Sequence, residues 1–146
     1  MVRRIVVLLA AAFLACGAAL AVDSNEDLEL DLSGIRQMIK AKQFDKAVAA
    51  LERILPSEHN ADSYNLLGFS LRNLGKAHYD ASLANYQKAL KLDPKHRQAR
   101  EYLGELYIKM GDMAKAREER ATLQSLCPKG CEELEDLDKA IAAAPK

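Results

Sequence analysis

The segment LLGFSLRNLG, Leu66 to Gly75, returns as YLGELYIKMG, Tyr102 to Gly111, 36 residues later. No other feature narrows the fold as much. Leu67, Leu71 and Leu74 fall on one helical stripe, and Leu103, Tyr107 and Met110 repeat it. Gly68 and Gly104 follow the first apolar residue of each stripe. A glycine inside a helix costs about 1 kcal/mol relative to alanine, so each is expected where another helix backbone comes close. Gly75 and Gly111 stand where a helix ends in a left-handed residue.

A second helical pattern follows each of these. Tyr79, Ser82, Tyr86 and Ala89 share a face, and Asp93-Pro94 closes that helix because the residue before proline leaves the helical region. Met113, Ala116, Arg120 and Leu123 hold the same places before Cys127-Pro128. An earlier and weaker copy has Phe44, Ala47, Leu51 and Ile54 ahead of Pro56. Its first helix is expected over about Leu32 to Ala41, with Ile35, Met38 and Ile39 inward. One helical hairpin cannot bury its own apolar face, so three copies must stack.

This pattern resembles the tetratricopeptide repeat, a 34-residue helical hairpin with aromatic, Leu-Gly, Tyr, Ala, Phe and Pro landmarks. The third copy, about Arg97 to Gly130, matches at Leu103-Gly104, Tyr107, Gly111, Ala116 and Pro128. It departs at Arg100, where an aromatic belongs, and at Arg120, where a large apolar residue belongs. The second copy, Ala61 to His96, matches at Tyr64, Leu67-Gly68, Leu71, Gly75, Tyr86, Ala89 and Asp93-Pro94. Its two extra residues fit best in the turn Lys76 to His78. The first copy matches only in its second helix. The implied fold is all-α, a superhelix of about three hairpins over 31–130 (31–60, 61–96 and 97–130). A capping helix and tail are expected over 131–146.

The chain opens with Arg3-Arg4, an apolar run from Ile5 to Ala15, and the small-residue pattern Ala19-x-Ala21 before the acidic VDSNEDLELD. This reads as a signal peptide over 1–21, followed by a flexible segment over 22–30. A membrane anchor would need a longer apolar run with a basic stop behind it. Cys16 raises lipidation as a minor alternative, but Leu14 is too large for the place two residues before it. A Gram-negative periplasm is the expected compartment, with a eukaryotic secretory route as the alternative. Without Arg3 and Arg4 the 21 basic residues fall to 19 against 21 acidic, a net charge near −2. With no basic tract, nucleic acid is not an expected partner. No second apolar run approaches spanning length, so no stable membrane insertion is expected after cleavage.

In the tail, Leu134, Leu137 and Ile141 make an apolar stripe, and Glu132 and Glu133 sit where the helix dipole favours acids. Cys127 and Cys131 flank a Pro-Lys-Gly turn. In an exported chain a structural disulfide is the simplest reading, worth roughly 2 kcal/mol for so short a loop. A thiol redox site has one intervening residue too many for Cys-x-x-Cys. Copper on two sulfurs would lack a histidine nearby, since His59, His78 and His96 are scattered. His59 and His96 lie near repeat junctions and read as solvated or capping groups.

No catalytic constellation, phosphate loop or cofactor motif stands out, so a non-enzymatic role is expected, with protein or peptide partners. The family resemblance implies a concave groove lined by first helices. Carried onto this chain, its places are Asp62, Asn65, Phe69, Arg72 and Asn73 in the second copy, and Gln98, Glu101, Glu105, Ile108 and Lys109 in the third. Phe69 looks surplus to the core and is a candidate anchor for a partner side chain, unless the first hairpin packs over it. Glu101 and Glu105 would repel a terminal carboxylate, which favours a basic or mixed peptide, or part of a folded protein. Two other roles stay open: a structural component of an envelope complex, and thiol or copper handling by Cys127 and Cys131.

Overall fold

Seven helices in hairpin order make up the computed structural model, which describes residues 32–57 and 59–145. The expected signal peptide, Cys16 and the segment 22–30 lie outside the described residues. The helices are α1 Leu32–Lys40, α2 Phe44–Ile54, α3 Ala61–Leu74, α4 Tyr79–Leu92, α5 Arg97–Met110, α6 Met113–Leu126 and α7 Glu132–Ala143. Among the described residues there is no strand.

Local chemistry sets the helix ends. Asn60 caps α3 by accepting from the Ser63 N–H, and Asp112 caps α6 by accepting from Lys115 N–H. His96 caps α5 through Nδ1, which accepts from Ala99 N–H at 3.2 Å. That bond leaves the proton on Nε2, which donates to Asp62 Oδ1 at 2.9 Å. Helices α3 to α6 each run 14 residues. The two extra residues of the second copy are taken up between helices, where Lys76–His78 form a single 3-10 turn.

Gly111 has the expected left-handed conformation (φ 84°, ψ 7°). Its N–H bonds to Ile108 C=O, and Asp112 N–H reaches back to Tyr107 C=O at 2.8 Å. Gly75 differs. Its φ is 107° but its ψ is −175°, an extended conformation that only glycine adopts readily and that feeds the 3-10 turn. The first hairpin uses the Gly111 geometry with a lysine. Lys42 has φ 58°, Lys42 N–H bonds to Ile39 C=O, and Gln43 N–H bonds to Met38 C=O.

The core is a chain of clusters along the stack. Ile35, Ala47, Leu51, Leu66, Leu67 and Leu71 join the first hairpin to α3. Tyr86, Leu103, Leu106, Tyr107 and Ala116 join the second hairpin to the third. Leu123, Leu134 and Leu137 seat α7. Leu67 and Leu103 are both buried, as the repeated stripe requires. Met110 is the exception on that stripe: it ends α5 and is 41% exposed, beside an open cavity shared with Lys76 and Tyr79.

The internal glycines make room for side chains, not for helix backbones. A Cβ on Gly68 would lie 2.8 Å from the Tyr86 ring, and one on Gly104 would lie 2.7 Å from Leu137. The second contact explains Arg120. Within the third hairpin Arg120 holds the place that Tyr86 holds in the second, and it does not cover its glycine. Leu137 of α7 does so, while Arg120 donates to Asp138 at 2.6 Å. The cap helix thus completes the third repeat's core.

Candidate functional site: the face of the first helices

Helices α1, α3, α5 and α7 are neighbours in that order, while α2, α4 and α6 each pack between successive first helices. All ten residues expected in a groove belong to α3 and α5, but they divide sharply by burial.

Asn65, Arg72 and Glu101 are buried and form no open contact surface. Asn65 sits between α3 and α5, where its Nδ2 donates to Gln98 Oε1 at 3.0 Å. Arg72 has its guanidinium 5.2 Å from the Phe69 ring centre and 5.1 Å from that of Tyr102. Its Nη1 donates to Tyr102 C=O at 3.1 Å, and it pairs with Glu105. Planar stacking plus a hydrogen-bonded carboxylate suits arginine and not lysine. Arg72 is therefore a brace between α3 and α5.

Phe69 is half-buried. Its ring lies 4.7 Å from Tyr102 and 6.2 Å from Phe44, centre to centre. The first hairpin does lean on it, so Phe69 is part of an aromatic seam through three hairpins with one edge left open. The spacing of the sequence could show that Phe69 was off the leucine stripe. It could not show that Phe44, 25 positions earlier, would reach it.

Asp62 is exposed and ties the three hairpins together. Its Oδ2 accepts from Arg36 of α1 at 3.0 Å and its Oδ1 from His96, the cap of α5. Asn73 is exposed and donates to Phe69 C=O at 2.8 Å. Lys109 is exposed, and Ile108 is half-buried between the second and third clusters. Glu105, Ile108 and Lys109 line a cavity of about 190 Å³ with Ala140 of α7. Sequence reasoning placed no α7 residue on this face, because nothing local marks a cap helix as lying beside α5.

Burial, together with Glu105 and Asp136 nearby, pushes the Glu101 carboxyl up to about 8, against a partial opposing effect of Arg72. At neutral pH this acid is mostly protonated. The expected repulsion of a carboxylate by Glu101 therefore weakens, and Glu105 is already paired with Arg72.

At the other edge of the stack, Cys127 ends α6 and Cys131 precedes α7. Their sulfurs are 2.08 Å apart, with Cα atoms 6.0 Å apart. No group of three or more His, Cys, Asp or Glu side chains suited to a metal occurs among the described residues. None of the described helices is long and apolar enough to cross a membrane.

Stacked hairpins with internal glycines, caps and a braced first-helix face define a tetratricopeptide-type helical solenoid. Residues 74–125, from the end of α3 through most of α6, match the tetratricopeptide repeat family. No curated protein matches this chain in sequence. Solved structures agree on the fold. The Yersinia enterocolitica type III secretion translocator chaperone SycD superposes with a TM-score of 0.69 at 16% identity, covering 84% of this chain and 86% of that one. PcrH in complex with the chaperone-binding region of PopD gives 0.66 at 18% identity, covering 85% and 90%. The second such domain of human RPAP3, in complex with an HSP70 peptide, gives 0.64 at 16% identity, covering 74% and 89%.

Proposed function

We propose that the chain is a non-enzymatic binding module of the periplasm that holds a peptide or protein segment along the face of α1, α3, α5 and α7. One observation carries this reading. The face has a braced floor, built from Asn65–Gln98 and from Arg72 between two rings, beneath accessible side chains at Asn73, Glu105, Ile108 and Lys109. A rigid floor lowers the ordering cost of binding. Similarly folded proteins have been captured with a chaperone-binding region or an HSP70 peptide, which supports the same use of the fold here. In this reading Cys127 and Cys131 form a structural disulfide suited to an oxidising compartment.

Photo-crosslinkers at Asn73 and Lys109 test the groove, with one at Lys91 on α4 as the control. Capture of one partner from the exported fraction by the first two, lost with Lys109→Glu, supports the reading. Equal capture at Lys91 overturns it. The mass of the mature chain tests export and the disulfide together, with Val22 expected at the amino terminus.

A structural role in a larger assembly is the second reading. It is favoured by Leu92, 47% exposed, and by Met110. Crosslinks found only between copies of this chain, with self-association unchanged by Lys109→Glu, would select it.

A further inference from the structure

The end of the stack where α3 and α5 begin carries a cavity of about 370 Å³, lined by His59, Tyr64, Lys88, Lys91 and Leu92. It lies apart from the first-helix face, between the loop before α3 and the last turns of α4. Tyr64 is its buried wall, 8% exposed. The Tyr64 hydroxyl lies 2.9 Å from His59 Nδ1, and Lys88 Nζ stands 5.4 Å from the centre of the Tyr64 ring. Leu92 is 47% exposed beside them. No acid among the described residues lines the cavity, and neither Lys88 nor Lys91 pairs with a carboxylate among them. Two cations a helical turn apart, next to an uncovered leucine, suit a segment that is both acidic and apolar.

The chain itself supplies such a segment. VDSNEDLELD, Val22 to Asp31, holds five acids with Leu28 and Leu30, and no lysine or arginine. It runs directly into α1, which starts at this same end of the stack. Arg36 of α1 reaches Asp62 in the first turn of α3, and Asp62 reaches His96, the cap of α5. Leu32 packs on the first cluster, as does Leu55, and Leu55 also packs on the cluster of Tyr64 and Ala89. Helix α1 packs on α3 and α3 on α4, so the cavity lies two helix spacings from Leu32, roughly 20 Å. About six extended residues span that distance at roughly 3.3 Å each. Counting back from Leu32 brings Glu26 and Asp27 to the lysines.

We propose that residues 22–31 cross the base of the stack and fill this cavity, with Glu26 and Asp27 at Lys88 and Lys91 and Leu28 toward Leu92. Exposed ion pairs are individually weak. The tether offsets this, because it holds the acids at a roughly millimolar effective concentration, enough to fill a site that a free peptide leaves mostly empty. So docked, the segment joins the first hairpin to α4, which α1 does not itself touch, and covers Leu92.

A photo-crosslinker in place of Asn25, in the chain over 22–146, tests this, with mass spectrometry of the digest locating the joined residues. Joining to residues 59–64 or 88–92 of the same chain is expected. The yield should fall at least ~5-fold in the double variant Lys88→Glu, Lys91→Glu, and as far in the double variant Glu26→Lys, Asp27→Lys. Combining all four substitutions reverses both sides of the contact and should restore at least about half of the yield. Lys88 and Lys91 are exposed, and circular dichroism matching the parent's shows that their variant folds. The Glu26 and Asp27 variant leaves the helical stack untouched and keeps the test decisive if the lysine variant misfolds. Joining elsewhere, joining between two copies, or a yield unmoved by both charge reversals overturns the proposal. So does a crosslinker at Leu92 that captures another protein from the exported fraction in place of residues 22–31.

Discussion

Leu137 of α7 presses on Gly104 of α5 as Tyr86 of α4 presses on Gly68 of α3. One contact closes a repeat from within, and the other closes it with the cap helix. The two should respond differently to a methyl group. Gly68→Ala puts a Cβ against a wholly buried ring with no room to turn, so overpacking of about 1–3 kcal/mol should exceed the gain of about 1 kcal/mol in helix propensity. Gly104→Ala meets the flexible end of a leucine on the terminal helix, which can shift. Chemical denaturation should rank Gly68→Ala as the more destabilised. Hydrogen exchange should show Gly104→Ala loosening α7 before the rest.

The turn at Lys42 carries a left-handed residue without glycine, and the turn at Gly111 carries one with it. A side chain in that conformation costs about 1–2 kcal/mol, part of which glycine gives back as chain entropy in the unfolded state. Lys42→Gly should stabilise the fold by about 0.5–1 kcal/mol, and Gly111→Ala should destabilise it by at least as much. Both are read from urea midpoints at constant slope.

Arg72 should be among the least replaceable residues on the first-helix face. Arg72→Ala leaves Glu105 without its partner, beside an acid already short of one, and opens the gap between Phe69 and Tyr102. A loss of about 3 kcal/mol is expected. Arg72→Lys should recover less than half of it, because an ammonium can neither stack on two rings nor hold the same bonds. Thermal melts of the three proteins decide this.

The Glu101 carboxyl makes stability depend on pH in a definite direction. Its proton affinity is higher folded, at about 8, than in an unfolded chain, at 4.5. The folded state therefore holds more protons between those values. The contribution is full below about pH 4.5 and is lost as pH rises through about 8. Glu101→Gln should remove the loss. Its melting temperature should exceed that of the parent by roughly 5 °C or more at pH 8.5 and differ little at pH 4.5.

Reduction of the proposed Cys127–Cys131 disulfide should act at one edge of the molecule. Its two cysteines join the end of α6 to the start of α7 across a short turn. The expected loss is at most about 2 kcal/mol, with faster amide exchange in α7 and little change in α1 to α4. Equal protection of α7 with and without reductant would argue against a tethering role.

The hairpin plan was legible in the chain because helix periodicity, glycine ends and proline breaks are local. Leu67, Leu103 and the Leu134–Leu137–Ile141 stripe needed no partner to be recognised. The first copy was harder to see, since Lys42 makes a glycine-type turn and leaves no glycine to read. The site was less legible. Asn65, Arg72 and Glu101 have the polar chemistry of a groove, and only their depth between α3 and α5 makes two of them braces and the third an isolated acid.

By itself, then, the sequence determined the helices, their order and the need to stack, since each follows from contacts within a turn or two of chain. The tertiary structure alone decided that Leu137 replaces a missing large apolar residue at Gly104, that Phe44 reaches Phe69, and that Glu101 is buried without an ion pair among the described residues. Those outcomes depend on distances between helices, and burial changes the energy of a polar group more than its neighbours along the chain do.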